Sequence, residues 1–357
     1  MAANTIGKIF QLHSFGESHA NAIGGVVDGF PSGFELDMKQ IQVEIGRRKT
    51  NQGVHSSKRA EQDKLHILSG IFENKTLGTP IAFYVENNDA ISDDYVEIKD
   101  IYRPSHADFT WQEKFGIRDY RGGGRSSARE TLSRVIAGAM AKQFLIKNGI
   151  RITAWVSQIG ESVWENETIP DIELIEKSKF RCPDIETEKQ IQNDIDNVVA
   201  EGNTLGGIIK CNISGMPSGL GEPVFDKLNA VLAHAMMSIN AVKGFEFGSG
   251  FKAAGMKGSE HNDEFFVEEN IVKTKTNNSG GIQGGISNGM DINMRIAFKP
   301  IASISKEQNT INNKGERVKV KIKGRHDVCV VPRAVPIVEA MAAIVVMDFF
   351  LLQKINK

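Results

Sequence analysis

The sequence predicts a single α+β domain of 357 residues. Some segments alternate apolar and polar residues as strands do, whereas others repeat apolar residues at helical spacing. No Pro/Ser/Gly-rich joint separates the chain into independent cores. The composition, with 40% hydrophobic and 24% charged residues, is ordinary for a globular protein of this size.

The first predicted unit is a strand, a tight turn and a helix. Gly24 to Asp28 is strand-like, the turn 29–33 reads Gly-Phe-Pro-Ser-Gly, and a helix is expected from Asp37 to Arg48. Proline fixes φ in such a turn, and glycine permits positive φ.

The second half repeats this order. Residues 207–213 are strand-like, the turn 215–219 reads Gly-Met-Pro-Ser-Gly, and a helix is expected from Phe225 to Ser238. Each half also carries a glycine-rich loop downstream, at 122–125 and 279–289. The repeated order predicts an internal two-fold pseudo-repeat whose loops line one cleft, although two coincidental turns would give the same match.

The remaining elements follow from periodicity. Thr131 to Phe144 has one apolar helical face and a stop signal at Gly149. Alternation predicts strands at Ile150–Val156, Asp291–Phe298 and Val318–Ile322.

Two further segments have distinctive compositions. Residues 161–204 are rich in charged and amide side chains, which predicts a helical surface insertion. The run from Ala340 to Leu352 is apolar except for Asp348. This run is short for a membrane span, so we expect a helix buried in the core or at a subunit contact.

The bulk numbers exclude several classes of protein. A net charge of −1 provides no overall field for nucleic acid or a membrane surface. Cys182, Cys211 and Cys329 are unclustered, so neither a disulfide framework nor a metal site is expected. The segment Met1–Ser14 lacks the apolar core of a signal peptide, so we expect a cytoplasmic protein.

The most informative motif is Asp119-Tyr-Arg-Gly-Gly-Gly-Arg-Ser-Ser-Ala-Arg-Glu-Thr131. Three glycines allow close approach to a ligand, and Arg121, Arg125 and Arg129 supply permanent positive charge. A helix is predicted to begin directly afterwards. Free N–H groups at a helix start bind anions, so the motif predicts an anion site more strongly than a simple capped turn.

Other cationic and histidine-containing segments extend this picture. They are Gly16–Ala20 with His19, Arg47–Lys49, Arg103–Asp108 with His106, Lys299–Ser303, and Lys323–Arg333 with Asp327. Clustered cations need an anionic ligand, so we expect phosphates or carboxylates to bind. The positive charge of Arg103 disfavours the cationic form of His106, unless a carboxylate or a bound phosphate lies between the two side chains. Neither a P-loop nor a Rossmann fingerprint is present. Histidines, carboxylates and arginines without a nucleophile suggest elimination from a polyanionic substrate.

Together these motifs resemble the chorismate synthase family along nearly the whole chain. The resemblance is carried by six segments in family-like order, namely Gly16–Ala20 with 24–31 behind it, Arg103–Asp108, Arg121–Thr131, Ser238–Gly244, Lys299–Ser303, and Arg325–Cys329 with Pro332, Pro336 and Glu339.

The resemblance implies an anti-1,4-elimination of phosphate and the C6 hydrogen from 5-enolpyruvylshikimate 3-phosphate, giving chorismate for aromatic amino acid biosynthesis. Such a carbon–oxygen lyase requires reduced FMN without net redox change. By resemblance, His106 acts near the departing phosphate, His19 manages protonation of the reduced flavin, and Asp327 relays the C6 proton. The implied substrate-binding residues are Ser18, Arg48, Arg129 and Arg325. The implied FMN contacts are Arg125, Ser126, Ser127, Asn240, Ala241, Gly284, Lys299, Pro300, Ile301, Ala302, Ser303 and Arg325.

The family also implies a β-α-β sandwich, with an inner helical layer flanked by antiparallel sheets, and a cytoplasmic homotetramer. Reduced flavin would come from an external reductase or another source, and NADP is associated with the family. One departure is Val54, which occupies a loop position where many members have an arginine that contacts substrate or nicotinamide. Lys58 or Arg59 could replace it by a loop shift. His326 stands where relatives often have serine.

Two other classes of function remain open from the residues. A flavin oxidoreductase with net turnover would need a nicotinamide site, and no Rossmann fingerprint is present. A non-catalytic anion-binding protein would not need His19, His106 and Asp327 together.

Overall fold

The computed structural model describes residues 4–49, 63–87, 93–322 and 327–356. The predicted α+β class is confirmed, because the described chain forms two five-stranded antiparallel sheets together with α-helices. In spatial order, the first sheet consists of strands at residues 5–6, 11–15, 22–28, 81–86 and 66–67, and the second of strands at 242–247, 292–298, 207–214, 151–159 and 162–163.

The elements of the first half supply the first sheet. Its helices are α1 (Met38–Arg47), α2 (Asp108–Phe115) and α3 (Thr131–Lys147). The strands of this half are β1 (Thr5–Ile6), β2 (Gln11–Phe15), β3 (Ala22–Asp28), β4 (His66–Ile67), β5 (Ile71–Phe72), β6 (Lys75–Thr76) and β7 (Ile81–Glu86), of which β5 and β6 form a separate two-stranded sheet.

The elements of the second half supply the second sheet and the final helix. The helices are α4 (Ile172–Lys177), α5 (Ile185–Ala200), α6 (Leu228–Met237), α7 (Gly258–His261) and α8 (Val331–Asn356). The strands are β8 (Arg151–Ile159), β9 (Ser162–Val163), β10 (Gly207–Ser214), β11 (Val242–Phe247), β12 (Phe265–Glu268), β13 (Ile271–Thr274), β14 (Ile282–Gln283), β15 (Ile286–Ser287), β16 (Ile292–Phe298), β17 (Gln308–Ile311) and β18 (Arg317–Val320).

The two predicted strand–turn–helix units are both present. In the first, Gly29 and Gly33 have φ of 73° and 75°, and in the second, Gly215 and Gly219 have φ of 72° and 99°. Asp37 caps α1 by accepting from the backbone N–H groups of the next turn. Both turns therefore have positive φ at their first and last glycines. The internal duplication itself stays a prediction.

Helices α3 and α8 carry the core. Helix α3 packs on β2 and β3 of the first sheet, α8 packs on β8 and β10 of the second, and the two helices pack on each other. At their crossing, a Cβ on Gly138 would lie only 2.4 Å from the Cα of Ala340. The absence of a side chain at Gly138 therefore permits the close approach of the two helices.

Helix α8 is longer than the sequence analysis predicts. It runs over 26 residues, and Val331–Ile355 is long and apolar enough to cross a membrane by length and composition alone. The predicted shortness of this segment is therefore wrong, but its predicted burial is confirmed, since 89% of its most apolar window lies inside the protein. Its one buried aspartate, Asp348, accepts hydrogen bonds from the backbone N–H groups of residues 8–10.

Proline within α8 creates a local need for a donor. Pro336 has no N–H, so the carbonyl of Pro332, four residues earlier, lacks its helical partner. The guanidinium group of Arg181 donates to this carbonyl, and its other Nη donates to the carbonyl of Arg47 at 2.6 Å. Arg47 ends α1, where carbonyl groups also lack helical partners. Arg181 therefore donates to carbonyl groups at the start of α8 and at the end of α1, which have no partner within their own helices.

Arg181 belongs to the segment 161–204, which does more than cover the surface. The segment forms α4 and α5 with many exposed charged residues, yet Ile191 and Ile195 join the hydrophobic core. Arg181 itself is only 1% exposed. Its backbone carbonyl accepts from Val156 of β8 at 2.9 Å. The segment is thus attached to the core by buried apolar and charged side chains.

Arg181 is one member of a group of charges, buried except for the exposed Glu176 and the partly buried Lys142, that we call the rear charge network. Three cations face three carboxylates in it, and the central carboxylate, Glu339, accepts from Arg47 at 2.6 Å and from Lys142 at 2.7 Å. Burial alone would raise the pKa of Glu339, but Arg47 and Lys142 hold it well below its ordinary value. The members are Arg47, Lys142, Arg181, Glu44, Glu176 and Glu339.

Candidate active site

A cavity of about 500 Å³, which we call the main cavity, lies beside the glycine-rich loop. Its described lining comes from the loop after β2, the end of α1, the segments before α2 and α3, the segments after α6 and β16, and the start of α8. Most of the predicted site residues line it, namely Ser18, His19, Arg48, His106, Ser126, Ser127, Arg129, Asn240, Ala241, Lys299, Pro300, Ile301, Ala302, Ser303 and Asp327.

Two successive glycines separate the two histidines. A Cβ on Gly122, whose φ is 70°, would lie 2.5 Å from Cε1 of His19, and one on Gly123 would lie 3.4 Å from Cε1 of His106. The Nδ1 atom of His19 lies 3.1 Å from the hydroxyl of Ser18. The glycine-rich loop therefore contacts both imidazoles, and a side chain at Gly122 would displace His19.

His106 lies in a small network of charged groups. Its Nδ1 atom is 3.2 Å from Oδ1 of Asp108 and 3.1 Å from Nη2 of Arg103. Arg103 donates to both oxygens of Asp108, at 2.8 and 2.7 Å, and Arg118 lies 3.1 Å from the same carboxylate. The carboxylate that the sequence analysis required between Arg103 and His106 is therefore Asp108.

The charge of Asp108 is strongly stabilised. Burial alone would raise its pKa, but hydrogen bonds from Arg103 and His106 hold the pKa well below the ordinary value. When His106 Nδ1 carries a proton and donates to this carboxylate, Nε2 is the ring nitrogen available to a ligand.

Two of the three predicted substrate arginines, Arg48 and Arg129, are buried and close together. Arg129 donates to Asp63 at 2.6 Å and to Oδ1 of Asn87 at 2.9 Å. Arg48 donates to the hydroxyl of Thr131 and to the carbonyl of Ala128, each at 3.1 Å. Both guanidinium groups are therefore held by neighbouring groups before any ligand binds.

The start of α8 connects Asp327 to α1. Arg333 pairs with Asp327, and its Nε donates to the carbonyl of Arg48 at 3.3 Å. Arg333 also lines the main cavity. Arg333 therefore links Asp327 to Arg48, the residue that follows α1.

The opposite side of the main cavity is formed after β16 and α6. Lys299 donates from its backbone to the carbonyl of Ala241 at 2.9 Å and from Nζ to the carbonyl of Ser105 at 3.3 Å. Burial, and then the nearby charge of Lys243, lower the pKa of Lys299. Ser105 and Ala241 have φ of 58° and 70°, which is rare for residues with side chains and concentrates at functional sites.

Several predicted site residues lie elsewhere. Arg125 points away from the main cavity and donates to the carbonyl of Gly16 at 3.1 Å and the hydroxyl of Ser14 at 2.7 Å. Arg121 is paired with Asp119 at 2.8 Å. Between Arg121 and Arg125 the backbone turns at Gly122 and Gly124, which have positive φ.

The second glycine-rich loop is also separate from the main cavity. Gly284 is exposed between β14 and β15, and the neighbouring Gly285 packs against Glu222 and Lys227. The structure therefore does not bring the two glycine-rich loops into one cleft within this chain. Arg325, His326, Val54, Lys58 and Arg59 lie outside the described residues.

Several residues of the main cavity were not predicted from the sequence, among them the polar side chains of Asp63 and Tyr95. Asp63 pairs with Arg129, and Tyr95 packs edge-on against His19 with ring centroids 5.2 Å apart. Neither belongs to a glycine-rich or histidine-containing motif. Asp108, in contrast, lies within the segment 103–108, and its spacing from His106 was the available signal.

The charges of the main cavity define the class of protein. Among the described lining residues, six cationic side chains face two carboxylates. Such a lining, with two histidines beside it, is typical of enzymes that act on small anionic substrates. The cationic side chains are Arg48, Lys49, Arg103, Arg129, Lys299 and Arg333, and the carboxylates are Asp63 and Asp327.

The chain belongs to the chorismate synthase family, because the family model "Chorismate synthase" matches residues 10–351. A chorismate synthase from Cytophaga hutchinsonii is 56% identical over 354 residues, covering 99% of this chain and 98% of the relative. One from Bacteroides thetaiotaomicron is 54% identical over 352 residues, covering 98% of each.

A solved structure gives the same assignment. The structure described as "Crystal Structure of Chorismate Synthase" matches with a TM-score of 0.78 at 31% identity, covering 98% of this chain and 93% of that chain. The resemblance identified from six sequence motifs is therefore confirmed, and so is the predicted lyase class.

Proposed function

We propose that this chain converts 5-enolpyruvylshikimate 3-phosphate to chorismate by anti-1,4-elimination of phosphate and the C6 hydrogen. The observation that carries the proposal is the main cavity, where His19, His106, Asp327 and an excess of cationic side chains meet in a chain that matches the family over nearly its full length. A substrate with one phosphate and two carboxylates supplies the negative charge that this lining requires.

Residues around the main cavity fit FMN, which the family implies. Oδ1 of Asn240 is buried without a hydrogen-bond partner in the described structure, so an N–H group of a ligand would satisfy it. Lys299, Ser126 and Ser127 offer donors for a phosphate, whereas Ile301 and Ala302 offer apolar contact. Reduced FMN, when bound, supplies electron density that helps the carbon–oxygen bond to break and regains it as the C6 hydrogen leaves.

We assign the protonation of the leaving phosphate to His106. Oδ1 of Asp108 lies 3.2 Å from Nδ1 and the carboxylate is itself held by Arg103, so with the proton on Nδ1 the ring leaves Nε2 for the ligand. Because Arg103 and His106 keep the pKa of Asp108 low, a charged carboxylate lies beside the imidazole that we assign as the acid.

His19 and Asp327 are assigned to the other protons of the reaction. His19 lies against Gly122 on the other side of the loop from His106, where it would keep the reduced flavin in its required protonation state. Asp327 is held by Arg333 and would receive the C6 proton. We assign Ser18, Arg48 and Arg129 to the anionic groups of the substrate.

The decisive experiment is anaerobic. Photoreduced FMN is added with the enolpyruvyl substrate, and release of phosphate and formation of chorismate are followed together. We expect equal amounts of both products without net oxidation of flavin. Folded protein that releases no phosphate contradicts the proposal, and flavin reduction by NADPH alone would favour the oxidoreductase alternative.

The finer properties are also part of the proposal. We propose one catalytic domain with a charged insertion at 161–204, the layered β-α-β arrangement, and the pseudo-repeat. We further propose a cytoplasmic homotetramer supplied with reduced flavin by an external reductase or an NADP-dependent source. The packing of α3 and α8 between the sheets supports the layering, and the separation of Gly284 from the main cavity of its own chain is compatible with sites near subunit contacts.

A further inference from the structure

A buried carboxylate lies among the cations of the main cavity. Asp63 is only 5% exposed, and its Oδ1 atom is 2.6 Å from Nη1 of Arg129. Its Oδ2 atom is 3.9 Å from Nη1 of Arg48. Both arginines are themselves more than nine-tenths buried. One negative charge therefore faces two guanidinium groups assigned to the substrate.

The backbone fixes this carboxylate in place. Asp63 has φ of 36°, in the region that residues with side chains rarely adopt. Its carbonyl accepts from Nε2 of Gln42 at 3.0 Å, and Oε1 of Gln42 accepts from the backbone of Leu65 at 3.3 Å. Gln42 lies on α1, which is followed directly by Arg48. The carboxylate and the guanidinium group are thus both attached to one helix.

The charge of Asp63 changes what the arginines can bind. The other acceptors around Arg129 include the neutral Oδ1 of Asn87 and the carbonyl of Glu86. An ionised carboxylate at hydrogen-bond distance holds a guanidinium group more firmly than neutral acceptors do, and it also reduces the positive potential offered to a ligand. The lower positive potential weakens the binding of a small free anion, which has few other contacts. A substrate that contacts the whole cavity is affected less, because its other contacts remain.

We propose that Asp63 is a positioning residue that orients Arg129 and Arg48 and weakens the binding of free phosphate, a product of the reaction. This inference rests on the proposed function, because only phosphate release makes product binding relevant. Without Asp63, the arginines would hold phosphate tightly and would be less well oriented for the substrate.

The first test measures binding of inorganic phosphate by calorimetry, with neither flavin nor substrate present. In Asp63→Asn, which keeps the shape and removes the charge, phosphate should bind about tenfold more tightly than in wild type. Asp37→Asn is the control, because Asp37 caps the opposite end of α1 and asparagine caps equally well. The control should bind phosphate as wild type does.

The second test asks whether Asp63 acts through Arg129. Arg129→Met is combined with Asp63→Asn, and the gain in phosphate affinity should disappear in the double variant. In turnover, Asp63→Asn should lower kcat by about 10- to 100-fold without raising KM, and product inhibition by phosphate should strengthen. A role in folding alone would reduce the active fraction but leave phosphate affinity unchanged.

Phosphate affinity within twofold of wild type in folded Asp63→Asn overturns the inference, as does a gain that persists with Arg129→Met. If Asp63→Asn does not fold, Asp63→Glu is used instead, because it keeps the charge but displaces Arg129. In this variant kcat should fall while the affinity for phosphate stays near the wild-type value. A wild-type kcat would overturn the inference. Because phosphate binding needs no turnover, failure here is distinguishable from failure of the lyase assignment.

Discussion

The rear charge network and the main cavity are both built from charged side chains, many of them buried, but the numbers of positive and negative charges differ between them. In the rear network, three cations meet three carboxylates. In the main cavity, six described cationic side chains face two carboxylates. The first group has equal numbers of the two charges, whereas the described lining of the second holds more cations than carboxylates even when Asp108, the partner of Arg103, is counted with it. Charge balance, rather than the presence of buried arginines, therefore distinguishes a structural cluster from a binding site.

Two adjacent residues show how close the clusters are. Arg47 ends α1 and pairs with Glu339 in the rear network, whereas Arg48 faces the main cavity. Arg181 and Arg333 donate to the carbonyls of Arg47 and Arg48 respectively. Changes in one cluster can therefore be compared directly with changes in the other.

The largest effect is expected on the catalytic side of this comparison. His106→Ala removes the proposed acid beside the leaving phosphate, so turnover should fall by about 10²- to 10⁴-fold while the urea midpoint of unfolding changes little. Steady-state phosphate release measures this. His13→Ala, at an exposed position on β2, is the control. Unchanged turnover in His106→Ala would remove that residue from the mechanism.

On the structural side, Glu339→Gln should unbalance the rear network. Losing the carboxylate leaves Arg47 and Lys142 short of one buried partner, which should cost about 3 to 5 kcal/mol in the free energy of unfolding. Urea unfolding at pH 7 measures this. Glu173→Gln, which breaks an exposed pair with Lys177, should leave the midpoint nearly unchanged. A Glu339 variant as stable as wild type would mean that the network does not stabilise the fold.

The same variant gives a pH signature. Because the pKa of Glu339 is lower in the folded state than in the unfolded chain, its stabilisation is present at neutral pH and is lost as the pH falls below about 4.3 towards the folded value. The stability difference between wild type and Glu339→Gln should therefore shrink between pH 5 and pH 3. A constant difference over this range would assign the loss to packing instead of charge.

A smaller effect tests why Arg181 is buried. Arg181→Met should cost about 2 kcal/mol by leaving the carbonyls of Pro332 and Arg47 without this donor. Pro336→Ala restores an N–H for Pro332, so the cost of Arg181→Met should be about 1 kcal/mol lower in that background. Urea unfolding of the four proteins in this cycle gives the coupling. Strict additivity would contradict the proposed link.

The smallest effect is expected from added anion. Phosphate at ten times its dissociation constant should stabilise wild type by about 1.4 kcal/mol through binding to the folded state, with chloride at equal ionic strength as the control. Glu339→Gln should keep this increment, because its charges lie outside the main cavity. Arg129→Met should lose most of it. Equal increments in all three proteins would place the anion site elsewhere.

Much of the fold was predictable because it depends on local patterns. Periodicity located α1, α3 and β16 to within a few residues, and the turn glycines have the expected positive φ. The length of α8 was missed because the predicted helix covers only the apolar run 340–352, whereas α8 begins at Val331 and contains Pro336. Arg181 compensates for Pro336 from a distant segment, and no local pattern reveals such a contact.

The candidate site was predictable where motifs carry it. His19, His106 and Asp327 line one cavity, as the motifs indicated. Asp63 was not predictable, since a lone aspartate in a polar stretch resembles any surface carboxylate. The direction of Arg125 was not predictable either, because the backbone turns at Gly122 and Gly124 decide it. Its assigned role, like that of Gly284, stays a prediction.

The contact of Arg181 with two helix ends has a consequence for protein engineering. Residues 161–204 resemble an accessory that could be trimmed to obtain a minimal enzyme. Deletion would remove the guanidinium group that donates to Pro332 and Arg47, and thereby loosen the two helices whose neighbouring residues are Arg333 and Arg48. A shortened version would have to retain that donor, or replace Pro336, before its surface loops could be redesigned.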